Sequence, residues 1–260
     1  MLLVSLIIPA YNEAARIQTT MSEAIDYFAS RGIPCEIIVS ADGNDGTREA
    51  ARELAAGRVG GAGIQVIGST KRGGKGRGIR EGVRVSRGDI IGFADADNKT
   101  PITEFDKIDP LLRQGHDVVI GSRSMQGALI ERAQPLYRRI GSQGFGVMMH
   151  AIVGLRDIVD TQCGFKFFRG DVARDLFALQ RIDGYMFDAE ILYLAQQRQY
   201  RVTQVPVRWR DDADSRLELI SGNIRNVRDI VSIRWRHRNL PERQAPERQA
   251  IDAQAVSRKG

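Results

Sequence analysis

The chain has 260 residues, 42% of them apolar and 27% charged, proportions that exclude wholesale disorder and allow one substantial core or at most two small domains. Its 38 Lys and Arg against 32 Asp and Glu leave a net +6, which suggests an anionic partner such as nucleotide, phosphate, nucleic acid or an anionic membrane face, or else a mildly basic surface. No run reaches the roughly 18 apolar residues of a membrane span, no basic leader precedes a cleavage site, and Cys35 and Cys163 form no metal or redox spacing, so a cytoplasmic chain is expected.

Strand-sized runs rich in β-branched residues occupy 4–8, 36–39, 64–67, 90–94 and 118–120, and stretches of helical length fill 13–30, 45–56, 75–86 and 103–114. This alternation predicts a mostly parallel sheet covered on both faces, with ligands beyond the carboxyl ends of its strands. Farther along, 135–154 reads as helix, 164–169 as extended chain, 188–199 as helix and 201–209 as an alternating strand. From 216 to 238, Leu217, Ile220, Ile224, Val227 and Val231 recur at three- and four-residue intervals, which predicts an amphipathic helix. Ile230, Ile233 and Trp235 widen its stripe, and Arg225, Arg228, Arg234, Arg236 and Arg238 make the other face basic. Such a helix lies in a membrane interface, or its stripe packs on the protein's own core or on a second subunit of a homo-oligomer. Residues 241–250 are the pentapeptide PERQA written twice, a polar tail expected to be disordered. The expected organisation is a main domain over 1–215, the amphipathic helix over 216–240 and the tail over 241–260.

The residues that carry chemistry sit at strand exits. Pro9-Ala10-Tyr11-Asn12-Glu13 ends the first strand, where polar groups can hold a base or diphosphate, or where Asn12 only caps the next helix. Ser40-Ala41-Asp42-Gly43 ends the second, with Asp42 placed to accept from a base or ribose and Asp45 to cap the helix that follows. In Lys71-Arg72-Gly73-Gly74-Lys75-Gly76-Arg77-Gly78, glycines let backbone amides approach phosphate oxygens, the helix start adds partial positive charge, and Lys75 adds a full one. The string is neither a P-loop, since Gly76 stands where Ser or Thr would, nor a Rossmann turn. Phe93-Ala94-Asp95-Ala96-Asp97 runs a strand into two carboxylates that project to one side. Holding them together is costly unless a cation lies near, and Mg²⁺ or Mn²⁺ shared with substrate phosphates is the usual solution; a solvated turn is the alternative.

In this order the motifs resemble those of inverting GT-A glycosyltransferases that use nucleotide-diphosphate sugars, over most of residues 3–238. Gly121-Ser122-Arg123, Asp160-Thr161-Gln162-Cys163-Gly164-Phe165-Lys166 and Phe187-Asp188-Ala189-Glu190 narrow the resemblance to the dolichyl-phosphate β-glucosyltransferase branch. The polyprenyl-phosphate mannosyltransferases share its plan. The resemblance implies a Rossmann-like α/β fold and inverting transfer of a hexose to polyprenyl or dolichyl phosphate. The hexose would be glucose from UDP-glucose, with GDP-mannose as the alternative donor.

By position, the resemblance implies that Pro9, Tyr11, Glu13 and Asp42 contact the nucleotide, that Lys75 lies near the diphosphate, and that Asp95 and Asp97 hold the metal. Arg123, Arg138 and Ser142 match positions that hold the lipid phosphate in the mannosyltransferases. Asp188 and Glu190 are candidates for donor-sugar hydroxyls or for a base toward a hydroxyl acceptor, or are acids of a helix start favoured by its dipole. Two departures stand out: one acid is missing before Asp42, where the family reads D-D-G-S, and Lys99 stands where an amide helps bind metal in the mannosyltransferases. A cation there repels a divalent ion or partly replaces it. A soluble glycosyltransferase acting on a small hydroxylated acceptor and a non-catalytic nucleotide-sugar-binding protein are the rival readings. Dispersed basic residues argue against nucleic acid.

Overall fold

The computed structural model describes residues 2–57, 63–131, 149–155, 157–210 and 223–240. Strands β1 (Val4–Tyr11), β2 (Cys35–Asp42), β3 (Gly63–Ile67), β4 (Ile90–Ala94) and β5 (Val118–Ser122) alternate with helices α1 (Ile17–Ser30), α2 (Thr47–Gly57), α3 (Lys75–Val85) and the short α4 (Asp109–Arg113). There follow β6 (Leu129–Ile130), β7 (Phe165–Arg169), α5 (Gly170–Leu179), α6 (Phe187–Gln197), β8 (Val202–Pro206), β9 (Arg208–Trp209) and α7 (Asn223–Arg236). Seven strands form one sheet in the order β3-β2-β1-β4-β7-β5-β8, and β6 pairs with β9 in a separate ribbon. Within the main sheet β7 runs antiparallel to both neighbours, and every other pair is parallel.

Successive residues of the central strands bury on opposite faces. Ile7, Ile38, Phe93 and Phe168 pack with residues of α3, α5, α6 and α7, whereas Leu6, Ile37, Val39 and Phe167 pack with α1 and α4. Burial on both faces is why these strands read as continuous apolar runs rather than as alternating ones.

Several expected boundaries shift. The first helix begins at Ile17 rather than Glu13. The stretch 103–114 divides into a 3₁₀ turn (Ile102–Lys107) and α4, because Pro110 has no N–H to continue the ladder and fits only a helix's first turn. The alternating run 201–209 breaks at Val207, whose N–H donates to Ser122 O at 3.1 Å. Of the expected helix 135–154, only the end lies within the described residues, as a π-helical turn (Met149–Val153). The apolar stripe of the C-terminal helix is not a single face. Ile230 and Ile233 are fully buried in the core cluster, while Val227, Val231 and Trp235 are exposed, Trp235 at 67%. The described part of 216–240 is thus docked on the main core through one side, and residues 211–222 and the tail from 241 lie outside the described residues.

Glu36 of β2 is a buried carboxylate at the amino end of the sheet, 1% exposed. It accepts from Ser5 Oγ at 2.6 Å, from the Arg87 backbone N–H at 2.6 Å and from Arg87 Nε at 3.0 Å. Burial alone would raise its pKa, but the bonds from Ser5 and Arg87 outweigh that and hold it below the usual carboxylate range. A carboxyl depressed in this way stabilises the fold above its unfolded pKa of about 4.3, and that contribution is lost as pH falls through the folded value. Glu36→Gln should therefore lower unfolding free energy by about 1–3 kcal/mol at neutral pH, measured by urea denaturation. The gap should narrow as the medium is acidified below pH ~4; a gap independent of pH would show that the charge of Glu36 contributes nothing.

Candidate active site

Because β1, β2, β4 and β5 run in one direction, their exits line one rim of the sheet. At the exit of β4 the chain turns sharply: Asn98, at φ 53°, donates its N–H to Asp95 O at 3.1 Å, and Thr20 of α1 donates to Ala96 O at 2.8 Å. Asp95 N–H donates to Gly164 O at 3.2 Å. A Cβ on Gly164 would stand 2.0 Å from an Asp95 carboxylate oxygen, so a larger residue there has to push that carboxylate aside.

Each acid of the pair has a lysine. Lys75, the first residue of α3, reaches Asp95 at 2.6 Å, and Lys99 Nζ lies 3.6 Å from Asp97. Burial opposes the charge of Lys75, but Asp95 first, then Asp188 and Asp97, outweigh it and hold its pKa above the ordinary lysine range. Asp97 shifts the other way for a carboxyl: burial, and next the charge of Asp95, raise its pKa against the pull of Lys99 and Lys75. The two lysines balance the formal charge of the pair, yet Asp97 remains a partly buried carboxylate beside a second one. Two carboxylates at one strand exit, completed by substrate phosphates, suit Mg²⁺ or Mn²⁺. Asp95 and Asp97 therefore fit the metal. Among the described residues no third His, Cys, Asp or Glu joins them, so further ligands have to come from substrate and water.

The expected nucleotide residues continue along the rim. Pro9 and Tyr11 pair in register with Ser40 and Asp42. Tyr11 is exposed, with the Arg72 guanidinium 4.3 Å from its ring centroid, and Arg72 also donates to Tyr185 Oη at 3.1 Å. Asp42 accepts the N–H groups of Ser69 at 3.1 Å and Gly73 at 2.6 Å, so it shapes the basic loop that leads to Lys75. Gly74 takes φ +107°, and a Cβ there would meet Asp183 O at 2.2 Å. The Glu13 carboxylate lies 3.8 Å from Arg16, and its N–H donates to Thr47 Oγ1 at 2.9 Å. Asp45 accepts from Thr47 N–H at 3.1 Å at the start of α2.

On the other side of the acid pair, Arg123 forks onto Asp160 through Nε at 2.8 Å and Nη2 at 2.9 Å, and its backbone N–H donates to the same carboxylate at 2.9 Å. Burial works to raise Asp160, but Arg123 outweighs it and holds the carboxyl below its usual range. The guanidinium also lies 5.5 Å from the centroid of Trp209. Cys163 is nearby but buried, which pushes its thiol up to about 11, so it stays protonated at neutral pH and is no nucleophile. Arg138 and Ser142 lie outside the described residues.

The two acids of 187–190 part company. Asp188 is buried and accepts from Lys166 Nζ at 2.5 Å, with Lys75 and Asp95 within electrostatic reach. Glu190 is fully buried and spends its oxygens on the N–H groups of Arg181 at 3.0 Å and Ile182 at 2.8 Å and on His237 at 2.6 Å. Two residues along a helix are about 200° apart, and Glu190 accordingly lies away from Asp188, braced in the core by these three partners. Lys166, Trp209 and the Arg123–Asp160 pairing were not identified from sequence. Lys166 closes the 160–166 motif, and a lone lysine inside the apolar run 165–168 is the further signal that marks it.

Gly164→Ala should displace the Asp95 carboxylate and weaken binding of UDP with Mn²⁺ by at least about tenfold, since backbone cannot yield as a side chain can. Calorimetry checks this, and wild-type affinity in a folded variant would sink the assignment of Asp95.

The chain is 36% identical to a dolichyl-phosphate beta-glucosyltransferase of Trichomonas vaginalis over 239 residues, covering 87% of this chain and 69% of that one. It is 32% identical to the Drosophila melanogaster dolichyl-phosphate beta-glucosyltransferase, covering 88% and 73%. In fold it is similar to glucosyl-3-phosphoglycerate synthase from Mycobacterium tuberculosis, solved with Mn²⁺, UDP and phosphoglyceric acid, with a TM-score of 0.65 at 19% identity over 93% of this chain and 80% of that one. The profile of Glycosyl transferase family 2 matches residues 5–177, and the chain belongs to that family.

Proposed function

We propose that this glycosyltransferase moves glucose from UDP-glucose, with inversion, onto a polyprenyl phosphate of the dolichyl kind. The observation that carries this reading is 30–36% identity, over 87–90% of the chain, to several dolichyl-phosphate beta-glucosyltransferases. The geometry is compatible with it: an acid pair with a lysine at one strand exit, and an arginine within electrostatic reach of Asp95 at the next.

In this reading Pro9, Tyr11, Glu13 and Asp42 bind the nucleotide, and Lys75 at the start of α3 faces the diphosphate. Asp95 and Asp97 hold the Mg²⁺ or Mn²⁺, which when bound supplies charge that stabilises the leaving diphosphate. The acceptor phosphate is already anionic near neutral pH, so its oxygen attacks the anomeric carbon without a base while UDP departs from the opposite face. Catalysis then rests on alignment. Arg123 orients the acceptor phosphate, joined by Arg138 and Ser142; Asp160 accepts from two of its nitrogens, and a guanidinium has five donors. Asp188 acts indirectly, through its bond with Lys166 and its field at Lys75.

The test is incubation with a panel of UDP- and GDP-sugars, dolichyl phosphate or a soluble hydroxylated acceptor, and Mg²⁺ or Mn²⁺, with products identified by mass. Glucosylated dolichyl phosphate from UDP-glucose is expected, with turnover lost about 100-fold or more in Asp97→Asn. Arg123→Ala should weaken acceptor affinity by roughly 1.5–3 kcal/mol and leave UDP binding near normal. Product on the soluble acceptor alone overturns the lipid reading.

No described helix is long and apolar enough to cross a membrane, yet the acceptor is a lipid. The outer side of α7 offers a peripheral contact: Val227, Val231 and Trp235 are exposed among Arg225, Arg228, Arg234 and Arg238. An arginine–tryptophan mixture of this kind sits in the headgroup region, and anionic lipid adds about 1 kcal/mol per basic residue near the surface. In liposome co-sedimentation, binding to anionic vesicles at low salt should fall in Trp235→Ala and in the wild type at high salt. Indifference of the intact chain to anionic vesicles would remove this role and favour the soluble acceptor.

A further inference from the structure

One of the two cations on the acid pair is held in a way that goes beyond an ordinary surface lysine. Lys99 is 9% exposed. Its backbone is fixed on both sides: the N–H donates to Asp97 Oδ1 at 3.3 Å and the C=O accepts from Arg210 N–H at 2.8 Å. Its ammonium, 3.6 Å from Asp97 Oδ2, lies 5.6 Å from the centroid of Trp209, the ring that Arg123 approaches at 5.5 Å. The attraction of a cation to an indole face and to a carboxylate acts on Lys99 from two sides, so it is confined beside the acids rather than extended into water.

We propose that Lys99 is a resident counter-ion of Asp97 that competes with the divalent cation for that carboxylate. A divalent ion arriving at Asp95 and Asp97 meets a positive charge already in its neighbourhood, and either displaces it or binds against its repulsion. The same charge helps an anionic diphosphate bind when no metal is present. Lys99 therefore weakens metal binding and strengthens metal-independent nucleotide binding, relative to a neutral residue in its place. This rests on the proposed function only in taking the acid pair as the metal's seat, and not on the identity of sugar or acceptor.

The experiment uses the full chain without sugar donor or acceptor. Mn²⁺ is titrated and the unbound ion followed by electron paramagnetic resonance in wild type, Lys99→Gln, Lys99→Met and Lys99→Arg, and UDP affinity is measured by calorimetry in excess chelator. The two neutral variants should bind Mn²⁺ about tenfold tighter and bind UDP in chelator about tenfold more weakly, as removal of one nearby charge implies. Lys99→Arg should stay within about twofold of wild type in both, because the charge is kept. This crossover is a signature that a merely structural lysine does not give. Circular dichroism checks each fold, and Lys99→Met, which keeps the apolar stem against Trp209, decides if the Gln variant unfolds. Unchanged or weaker Mn²⁺ binding in the folded neutral variants overturns the proposal. So does the absence of Mn²⁺ binding from all four chains, which leaves glucose transfer to be judged by its own product assay.

Discussion

Mutual repulsion between Asp95 and Asp97, at the mouth of a strand buried on both faces, organises most of the rim around them. An ion removed from water costs several kcal/mol unless partners replace its hydration, and the chain meets that need with an alternating array. Lys75 lies on Asp95, Lys99 near Asp97, Lys166 on Asp188 and Arg123 on Asp160. Lys166 is fully buried, bound to the Cys163 carbonyl as well as to Asp188, with its ammonium 5.5 Å from the centroid of the Phe93 ring. Lys75 and Arg123 also lie within electrostatic reach of a second acid, Asp188 and Asp95 respectively.

The antiparallel strand makes this array possible. Because β7 starts where β4 ends, with Phe165 opposite Ala94, residues 160–164 are delivered to the acid pair instead of to the far end of the sheet. Gly164 then touches Asp95, Asp160 receives Arg123 from the exit of β5, and Lys166 points back beneath the pair to Asp188. A parallel strand in the same position would send that segment to the opposite rim.

That reversal is also where sequence reading stops. The strands β1, β2, β4 and β5 were legible because both faces are apolar, and the acid pair because two carboxylates directly after such a strand demand a cation. Strand direction leaves no such mark, since Phe-Lys-Phe-Phe reads the same whichever way it is laid in. The periodicity of the C-terminal helix was legible too, but not its division: Ile230 and Ile233 face inward and Val227, Val231 and Trp235 outward, within one broad apolar arc. Asp188 and Glu190 share one acidic motif, but their helical spacing separates them by more than half a turn.

The separation has a consequence for the outer helix. Glu190 joins α7, through His237, to the turn at Arg181 and Ile182. The next residue of that turn, Asp183, accepts the N–H of Arg77 at 3.2 Å, closes against Gly74, and pairs with Arg80 at 2.8 Å. One buried carboxylate and one turn thus connect the helix bearing Trp235 to the start of α3, where Lys75 meets Asp95. Ile230 and Ile233 add apolar packing beneath the same helix. The inner face of α7 is therefore fixed to the same frame as the basic loop before α3, and any contact that orients its outer face orients the rim with it.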